Sequence, residues 1–270
     1  MFGNTETTIY LSPSSWAHRK YVLNRILELP STTSLKEKEN DVFTLVQNEF
    51  TICSKISEKY PRNYYAWTHR IYLLDKLASV RADIIENSRY FELLKSEWNY
   101  SVNWLETHLG DHSAGHYAIH VFSKQIKKID TQQDEKAKEI DESTIISALA
   151  CAKGFTTRYP GHEALWMFRR GIASVSLRSN LSRKNHQLVL EDLESDFNQA
   201  LLSKNNQPVH LWTYLLWTLA EVMATMSWCS DDAAKSKYLE WNQRARRALK
   251  VDDRVGHFMW QEDENISMAL

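Results

Sequence analysis

The sequence predicts an all-α protein, a right-handed α-α superhelix (a solenoid) of about five helical hairpins. Three observations predict this class: a tryptophan-marked motif at a nearly fixed interval, apolar stripes at helical spacing before the marks, and few turn-forming residues. The marks stand at Trp16, Trp67, Gly115, Trp166 and Trp212, in steps of 51, 48, 51 and 46 residues. Such a period is typical of stacked supersecondary units. With only 7 glycines and 5 prolines in 270 residues, long helices with short connections are favoured over a β-sandwich.

The first element is expected to be a marked helix from Ser14 to Leu29. We call the marked helix of each hairpin its B helix and the unmarked helix before it its A helix. Because this first B helix has no room for an A helix of its own, residues 1–270 are predicted to be a single helical-repeat domain that lacks N-terminal repeats. The same reasoning predicts an uncovered apolar helix face at Val22, Leu23 and Ile26.

Apolar stripes then predict the A helices, because their members recur at the spacing that places residues on one helix face. The four stripes are Val42, Val46, Phe50, Cys53, Ile56 and Tyr60; Ile84, Phe91, Leu94, Trp98, Val102 and Leu105; Ile145, Leu149, Ala152, Phe155 and Tyr159; and Leu190, Leu193, Phe197 and Leu201. A last A-like helix is predicted from Tyr238 to Lys250. The polar stretches Pro30–Ser34 and Asp130–Ser143 are predicted to be connections.

The turn between the A and B helices is also repeated. The segment Tyr60-Pro61-Arg62-Asn63 aligns without gaps on Tyr159-Pro160-Gly161-His162. Proline ends the A helix because the residue before a proline disfavours the α region. Asn63, and Asp111 at the matching place in the third repeat, are predicted to cap the following B helix through a side-chain oxygen.

The motif itself pairs a tryptophan with an arginine three residues later, one helical turn away. The pairs are Trp16/Arg19, Trp67/Arg70 and Trp166/Arg169, whereas the third repeat has Gly115/Ala118 and the fifth has Trp212/Leu215. Tryptophan buries a large area, and arginine donates to carbonyls or carboxylates of a neighbouring element. The pattern therefore favours packing between repeats over chemistry.

This combination of Asn63, Tyr64, Trp67 and Arg70 within helical hairpins resembles the α-subunit repeat of the protein prenyltransferases. The resemblance runs from Ser14 to about Lys250 and is strongest from Arg62 to Leu74. The third repeat, Asp111 to Tyr117, is similar to a divergent member of the family, because the farnesyltransferase and Rab geranylgeranyltransferase α subunits more often keep tryptophan and arginine there.

The resemblance implies a non-catalytic subunit of a heterodimer. Its β-subunit partner, most simply of the Rab geranylgeranyltransferase type, would hold a zinc ion. The zinc activates a C-terminal cysteine of a protein substrate, which accepts a geranylgeranyl or other isoprenoid group from its diphosphate. The chain itself is expected to need no cofactor and to have no catalytic residue of its own.

The resemblance also indicates where the diphosphate would lie. Arg62 stands where the farnesyl and type I geranylgeranyl enzymes have a lysine, and Tyr64 matches the family tyrosine. Asp111 and His112 fall on the equivalent turn of the next repeat. Arginine keeps the positive charge and binds phosphate oxygens in two places. An ordinary ion pair between repeats is the open alternative for Arg62.

Two other functions are left as alternatives. His108, His112, His116 and His120 are spaced by four, and histidines at that spacing can bind zinc, but the HExxH glutamate is missing and Gly110 interrupts the helix. The repeat register accounts for these histidines, so no metal site is expected. The second alternative is a non-enzymatic scaffold that binds a partner protein on a concave face.

Composition excludes several classes. The formal net charge of −1 argues against a basic nucleic-acid-binding surface. The first residues lack the basic and apolar regions of a signal peptide. The most apolar stretch, Leu211 to Met226, is too short to span a bilayer comfortably, so no membrane insertion is expected. The three cysteines suggest no disulfide framework, and a cytoplasmic protein is predicted.

Overall fold

The structure is a computed structural model that describes residues 12–28, 35–84, 87–130, 135–178, 183–202, 209–225 and 232–251. In these ranges every regular element is an α-helix, which confirms the predicted all-α class. The ten helices are α1 (Pro13–Glu28), α2 (Leu35–Lys59), α3 (Tyr64–Ile84), α4 (Asn87–Thr107), α5 (His112–Asp130), α6 (Glu135–Arg158), α7 (Glu163–Arg178), α8 (Arg183–Leu202), α9 (Val209–Thr225) and α10 (Asp232–Val251). The B helices are α1, α3, α5, α7 and α9, and they alternate with the A helices as the sequence predicts.

The contacts within the chain define two compact units, Met1–Gln125 and Ile126–Leu270. In the first unit, α2 packs along α3, and α1 also contacts α3. Of the predicted uncovered face of α1, Val22 and Ile26 are 39% and 46% exposed, but Leu23 is buried, because it points toward α2 and α3. The predicted stripe of α2 is buried at Val42, Val46, Phe50, Cys53 and Ile56, and α4 buries Leu94 and Leu105. Because these residues share one helix face, each A helix covers its neighbours with that face and exposes the other.

In the second unit, α7 packs against both α6 and α9, and α9 also packs against α10. The stripe of α6 is buried as predicted at Ile145, Leu149, Ala152 and Phe155. In α8, Leu193 and Phe197 are buried, but Val189 is buried in place of the half-buried Leu190. Ile84 was predicted to begin the stripe of the second A helix, but it is the last residue of α3, and α4 begins at Asn87. The structure gives only the backbone of Ile84 and Leu201.

One predicted connection is wrong over most of its length. Asp130–Ser143 was expected to link two helices, whereas α6 already begins at Glu135. The first turns of α6 are rich in glutamate, lysine and alanine, which are strong helix formers even without an apolar stripe. The predicted connection Pro30–Ser34 lies outside the described residues. The organisation of residues 1–270 as one repeat domain stays a prediction.

Candidate functional site

The turn between α2 and α3 ends one helix and caps the next. Asn63 is buried, and its Oδ1 accepts hydrogen bonds from the backbone N–H groups of Tyr65 and Ala66 at 3.0 and 3.2 Å. This confirms the predicted cap, because an asparagine oxygen satisfies donors that have no partner within the helix. The preceding Arg62 has φ = 63°, the left-handed conformation. Non-glycine residues rarely adopt it, so the turn holds Arg62 in a strained but defined orientation.

The matching turn before α5 is built around Asp111. Its Oδ1 accepts hydrogen bonds from the backbone N–H groups of Ser113 and Ala114, both at 3.1 Å. Its Oδ2 accepts one from Trp104 Nε1 at 3.0 Å. Both oxygens of this buried carboxylate therefore bind the protein itself, which assigns Asp111 to capping α5 and holding the turn.

The structure brings these two turns together through Arg62. A Cβ atom placed on Gly110 would lie 3.1 Å from Nη2 of Arg62, so the guanidinium group rests against the backbone of the next turn. Arg62 is exposed and makes no ion pair within the described residues. Tyr64, which is 61% exposed, and His112 are also at the surface. We call Arg62, Tyr64, Gly110 and His112 the turn surface.

Two substitutions at Arg62 separate the effect of its left-handed backbone on stability from the effect of its charge. We expect Arg62→Gly to be more stable than Arg62→Ala by about 1 kcal/mol, because glycine adopts the left-handed region without a Cβ clash while alanine does not. Both variants remove the same guanidinium group. Chemical denaturation of the two variants measures the difference, and equal stabilities would contradict a left-handed Arg62.

The motif arginine Arg70 lies in the core of the first unit. Its Nη1 donates to the carbonyl of Phe50 at 3.1 Å, and its Nη2 lies 3.2 Å from Oε2 of Glu97 in α4. Tyr117 in α5 donates a hydrogen bond of 2.6 Å to the same carboxylate. All of these side chains are buried, and burial raises the pKa of Glu97 although Arg70 works against the shift. One arginine thus joins α2, α3 and α4, and its carboxylate partner extends the contact to α5.

Arg169 repeats this arrangement in the second unit. Its Nη1 donates to Thr156 Oγ1 of α6 at 3.1 Å, and its Nη2 lies 2.7 Å from Asp192 and 2.5 Å from Asp196 in α8. Lys153 contacts both aspartates, at 3.0 and 3.2 Å. Burial disfavours the charge of Arg169, but the electrostatic interactions with Tyr214 and these carboxylates outweigh it and raise the pKa of the arginine.

Arg19 forms the third pair. Its Nε and Nη2 bind the two oxygens of Glu49 in α2 at 2.5 and 2.7 Å, and Nε2 of the buried His69 lies 2.9 Å from Glu49 Oε2. Although burial works against ionisation, hydrogen bonds from His69 and Arg19 lower the pKa of Glu49. Burial also lowers the pKa of His69, which favours the neutral ring.

The sequence pattern did not predict the acidic partners of the three motif arginines. Glu97 and Asp196 each follow their arginine by 27 residues, and Glu49 follows Arg19 by 30 residues. A search for an acidic residue one A helix further along the chain would have found all three. Each Trp-x-x-Arg motif with both residues therefore has a carboxylate partner on the next A helix.

The divergent marks differ in packing. Gly115 is buried at the start of α5, and the fully buried ring of Tyr117 packs against Trp67 at 5.6 Å. Trp212 is only half-buried and meets Phe197 edge-on at 6.2 Å, whereas Tyr214 is buried against Trp166 at 5.7 Å and lies under Arg169. At the fifth mark, Tyr214 thus occupies the central packing position between repeats.

The four histidines do not converge. His108 stacks on Trp104 with ring centroids 3.9 Å apart, and His120 lies 3.1 Å from Asp75, while His112 and His116 are exposed. In the part of the chain that the structure describes, no three histidine, cysteine or acidic side chains are grouped closely enough to hold a metal ion. None of the described helices combines the length and apolarity needed to cross a bilayer.

Taken together, the hairpins and their buried arginine–carboxylate pairs define a helical-repeat protein. Comparison with known sequences shows which repeat the chain is similar to. A profile of the protein prenyltransferase alpha subunit repeat matches residues 46–77, which span the end of α2, the Arg62 turn and most of α3. This similarity to the repeat supports the resemblance noted in the sequence and is consistent with the α-α superhelix class.

Three relatives are proteins named protein prenyltransferase alpha subunit repeat-containing protein 1 or 1-B. The chain is 30% identical to the Homo sapiens protein over 193 residues, which cover 60% of this chain and 46% of the relative. It is 26% identical to the Danio rerio protein over 60% of this chain and 42% of the relative, and 26% identical to the Xenopus laevis 1-B protein over 68% and 46%. The chain thus matches less than half the length of these relatives.

Proposed function

We propose that this chain acts in the cytoplasm as the non-catalytic α-type subunit of a protein prenyltransferase heterodimer, of the geranylgeranyltransferase kind. The transferred group would pass from its diphosphate to a C-terminal cysteine of a protein substrate. The family match supports the subunit class. The zinc ion and the thiolate it activates belong, in this proposal, to the β-subunit partner.

One observation carries the proposal: the turn surface presents an exposed arginine without a carboxylate partner among the described residues. This distinguishes Arg62 from Arg19, Arg70 and Arg169, which all pair with A-helix carboxylates. An arginine outside such pairs keeps its charge and its planar donors for a ligand. Phosphate oxygens are the ligands that this fork matches best.

The residues around Arg62 are also suited to binding a diphosphate. Gly110 has no side chain, so the guanidinium group lies directly against its backbone. The exposed Tyr64 can donate a hydrogen bond from its hydroxyl group, and the exposed imidazole of His112 can donate from a ring nitrogen. Asp111 contributes by holding the second turn in place through its three hydrogen bonds. In this proposal, Arg62 and Tyr64 bind diphosphate oxygens, and His112 supports them.

The test is co-expression of the chain with a Rab-type geranylgeranyltransferase β subunit, followed by transfer of labelled geranylgeranyl to a protein that ends in cysteine. We expect a stable complex, and we expect Arg62→Ala to lower transfer about tenfold, the loss of one charge-assisted hydrogen-bonding group. Arg62→Lys should restore part of the rate because it keeps the charge. Arg178→Ala is the matched control, because Arg178 is exposed but already paired with Glu221 at 2.9 Å.

The outcomes separate the functions. If the complex forms and its transfer rate is unchanged by Arg62→Ala, the subunit function is supported, but the turn surface takes no part in binding the diphosphate. Failure of both this chain and a longer form to bind a β subunit would contradict the proposal and favour the scaffold function.

A further inference from the structure

Gly110 has no side chain, yet its backbone conformation does not require a glycine. Glycine is usual where the chain adopts a positive φ, but among the described residues only Arg62 does so. What the missing side chain provides is space, because a Cβ atom on Gly110 would lie 3.1 Å from Nη2 of Arg62 and 3.9 Å from its Cζ. The first distance is shorter than an ordinary van der Waals contact. A larger residue at position 110 would therefore displace the guanidinium group.

The backbone around Gly110 is held on both sides. The N–H of Asp111 donates to the carbonyl of His108 at 2.9 Å, and the Asp111 carboxylate accepts the three hydrogen bonds described above. Before the turn, the N–H of His108 donates to the carbonyl of Trp104 at 3.0 Å, and the two rings stack 3.9 Å apart. Gly110 therefore presents a fixed backbone surface to its neighbours.

The side chain of Arg62 is constrained at both of its ends. The left-handed backbone of Arg62, next to the Asn63 cap, sets the direction in which the side chain leaves the turn. An arginine side chain has several rotatable bonds, so this alone would leave the guanidinium group free to move. The contact with Gly110 limits the group at its far end. Orientation matters because the planar fork of an arginine binds phosphate oxygens through two parallel hydrogen bonds.

The equivalent positions of three turns differ in what they carry. The residue before the cap position is Arg62 in the α2–α3 turn, Gly110 in the α4–α5 turn and Gly161 in the α6–α7 turn. A Cβ atom on Gly161 would meet no described atom within 4 Å. One position thus carries the guanidinium group and the next provides the surface on which it lies. The third does neither.

We propose that Gly110 is a positioning residue for the transfer reaction. The inference rests on the proposed function, in which Arg62 binds the diphosphate. Gly110 gives no group to the ligand and acts through Arg62, because it leaves room for the guanidinium group beside a fixed backbone. A side chain at position 110 should therefore weaken binding of the isoprenoid diphosphate. Binding of the protein substrate, whose cysteine the β subunit activates in the proposal, should not change.

The test is a double-mutant cycle in the complex of the full chain with the β subunit. We expect Gly110→Ala to raise the KM for labelled geranylgeranyl diphosphate about threefold and Gly110→Leu about tenfold, because the larger side chain displaces the guanidinium group further. The KM for the protein substrate should stay unchanged. In the Arg62→Gly background, which lacks the guanidinium group and tolerates the left-handed backbone, both substitutions should have little effect.

Gly161→Leu is the matched control, because Gly161 stands at the equivalent turn position and has room for a side chain. It should leave both KM values unchanged. Thermal melting should show that the position-110 variants still fold, since the backbone there has no positive φ. If Gly110→Leu lowers the melting temperature, Gly110→Ala decides the question, because a methyl group at a compatible φ does not strain the backbone.

The outcomes distinguish this inference from the proposed function. A rise in the KM for the diphosphate that depends on Arg62 supports the positioning by Gly110. If Arg62→Gly raises this KM but the position-110 variants do not, or raise it equally in both backgrounds, the inference is wrong and the proposed function stands. If Arg62→Gly leaves the KM unchanged, the turn surface does not bind the diphosphate, and the inference is wrong together with that part of the proposed function.

Discussion

Arg70→Ala is expected to lower the free energy of unfolding of the first unit by about 3–5 kcal/mol, because it leaves the Glu97 carboxylate buried without its cation. The loss includes the donors to Phe50 and Ser54, at 3.1 and 3.3 Å, and the packing on the Tyr100 ring, 4.2 Å away. The measurement is urea denaturation followed by tryptophan fluorescence. Arg19→Ala is the matched comparison and should cost less, since Arg19 is partly exposed.

Two further experiments show that the unpaired carboxylate causes the loss. Arg70→Met/Glu97→Gln removes both charges and keeps an acceptor for Tyr117, so it should recover much of the stability. In Arg70→Ala, the missing cation no longer opposes the effect of burial, so the folded-state pKa of Glu97 rises further above its unfolded value. A raised carboxyl pKa costs stability as the pH rises through it. The deficit should therefore shrink from pH 7 toward pH 5, and a deficit independent of pH would contradict this origin.

Features that depend on local spacing were predicted well. Asn63 and Asp111 cap their helices, and the stripes of α2 and α6 are buried, because both features follow from residues within one or two helical turns. The helical start of α6 was missed for the opposite reason. Its first turns carry no apolar stripe, and helix propensity alone is a weak signal in a charged segment.

Features that depend on distant contacts needed the structure. The Tyr60–Asn63 and Tyr159–His162 turns align in sequence, yet only Arg62 is left-handed among the described non-glycine residues, and Gly161 is not. The periodicity predicted that Arg62 and Asp111 lie on equivalent turns. It did not show that the guanidinium group of Arg62 contacts Gly110. It also did not show that both carboxylate oxygens of Asp111 accept hydrogen bonds from the protein itself. Sequence spacing places residues on a helix face, whereas partners between helices depend on packing.

Trp67→Ala is expected to lower the free energy of unfolding by about 3–5 kcal/mol, the range for a large buried aromatic side chain. The loss arises because the substitution opens a cavity among Tyr100, Trp104 and Tyr117. Trp67→Phe should cost far less, since the Trp67 Nε1 has no hydrogen-bond partner among the described residues and only ring volume is lost.

Trp212→Ala is the comparison at a divergent mark. It should cost about half as much, because Trp212 is half-buried and the central ring there is Tyr214. Chemical denaturation of the three variants measures this order. Equal losses at Trp67 and Trp212 would mean that the tryptophan marks, rather than the buried rings around the motif arginines, hold the hairpins together.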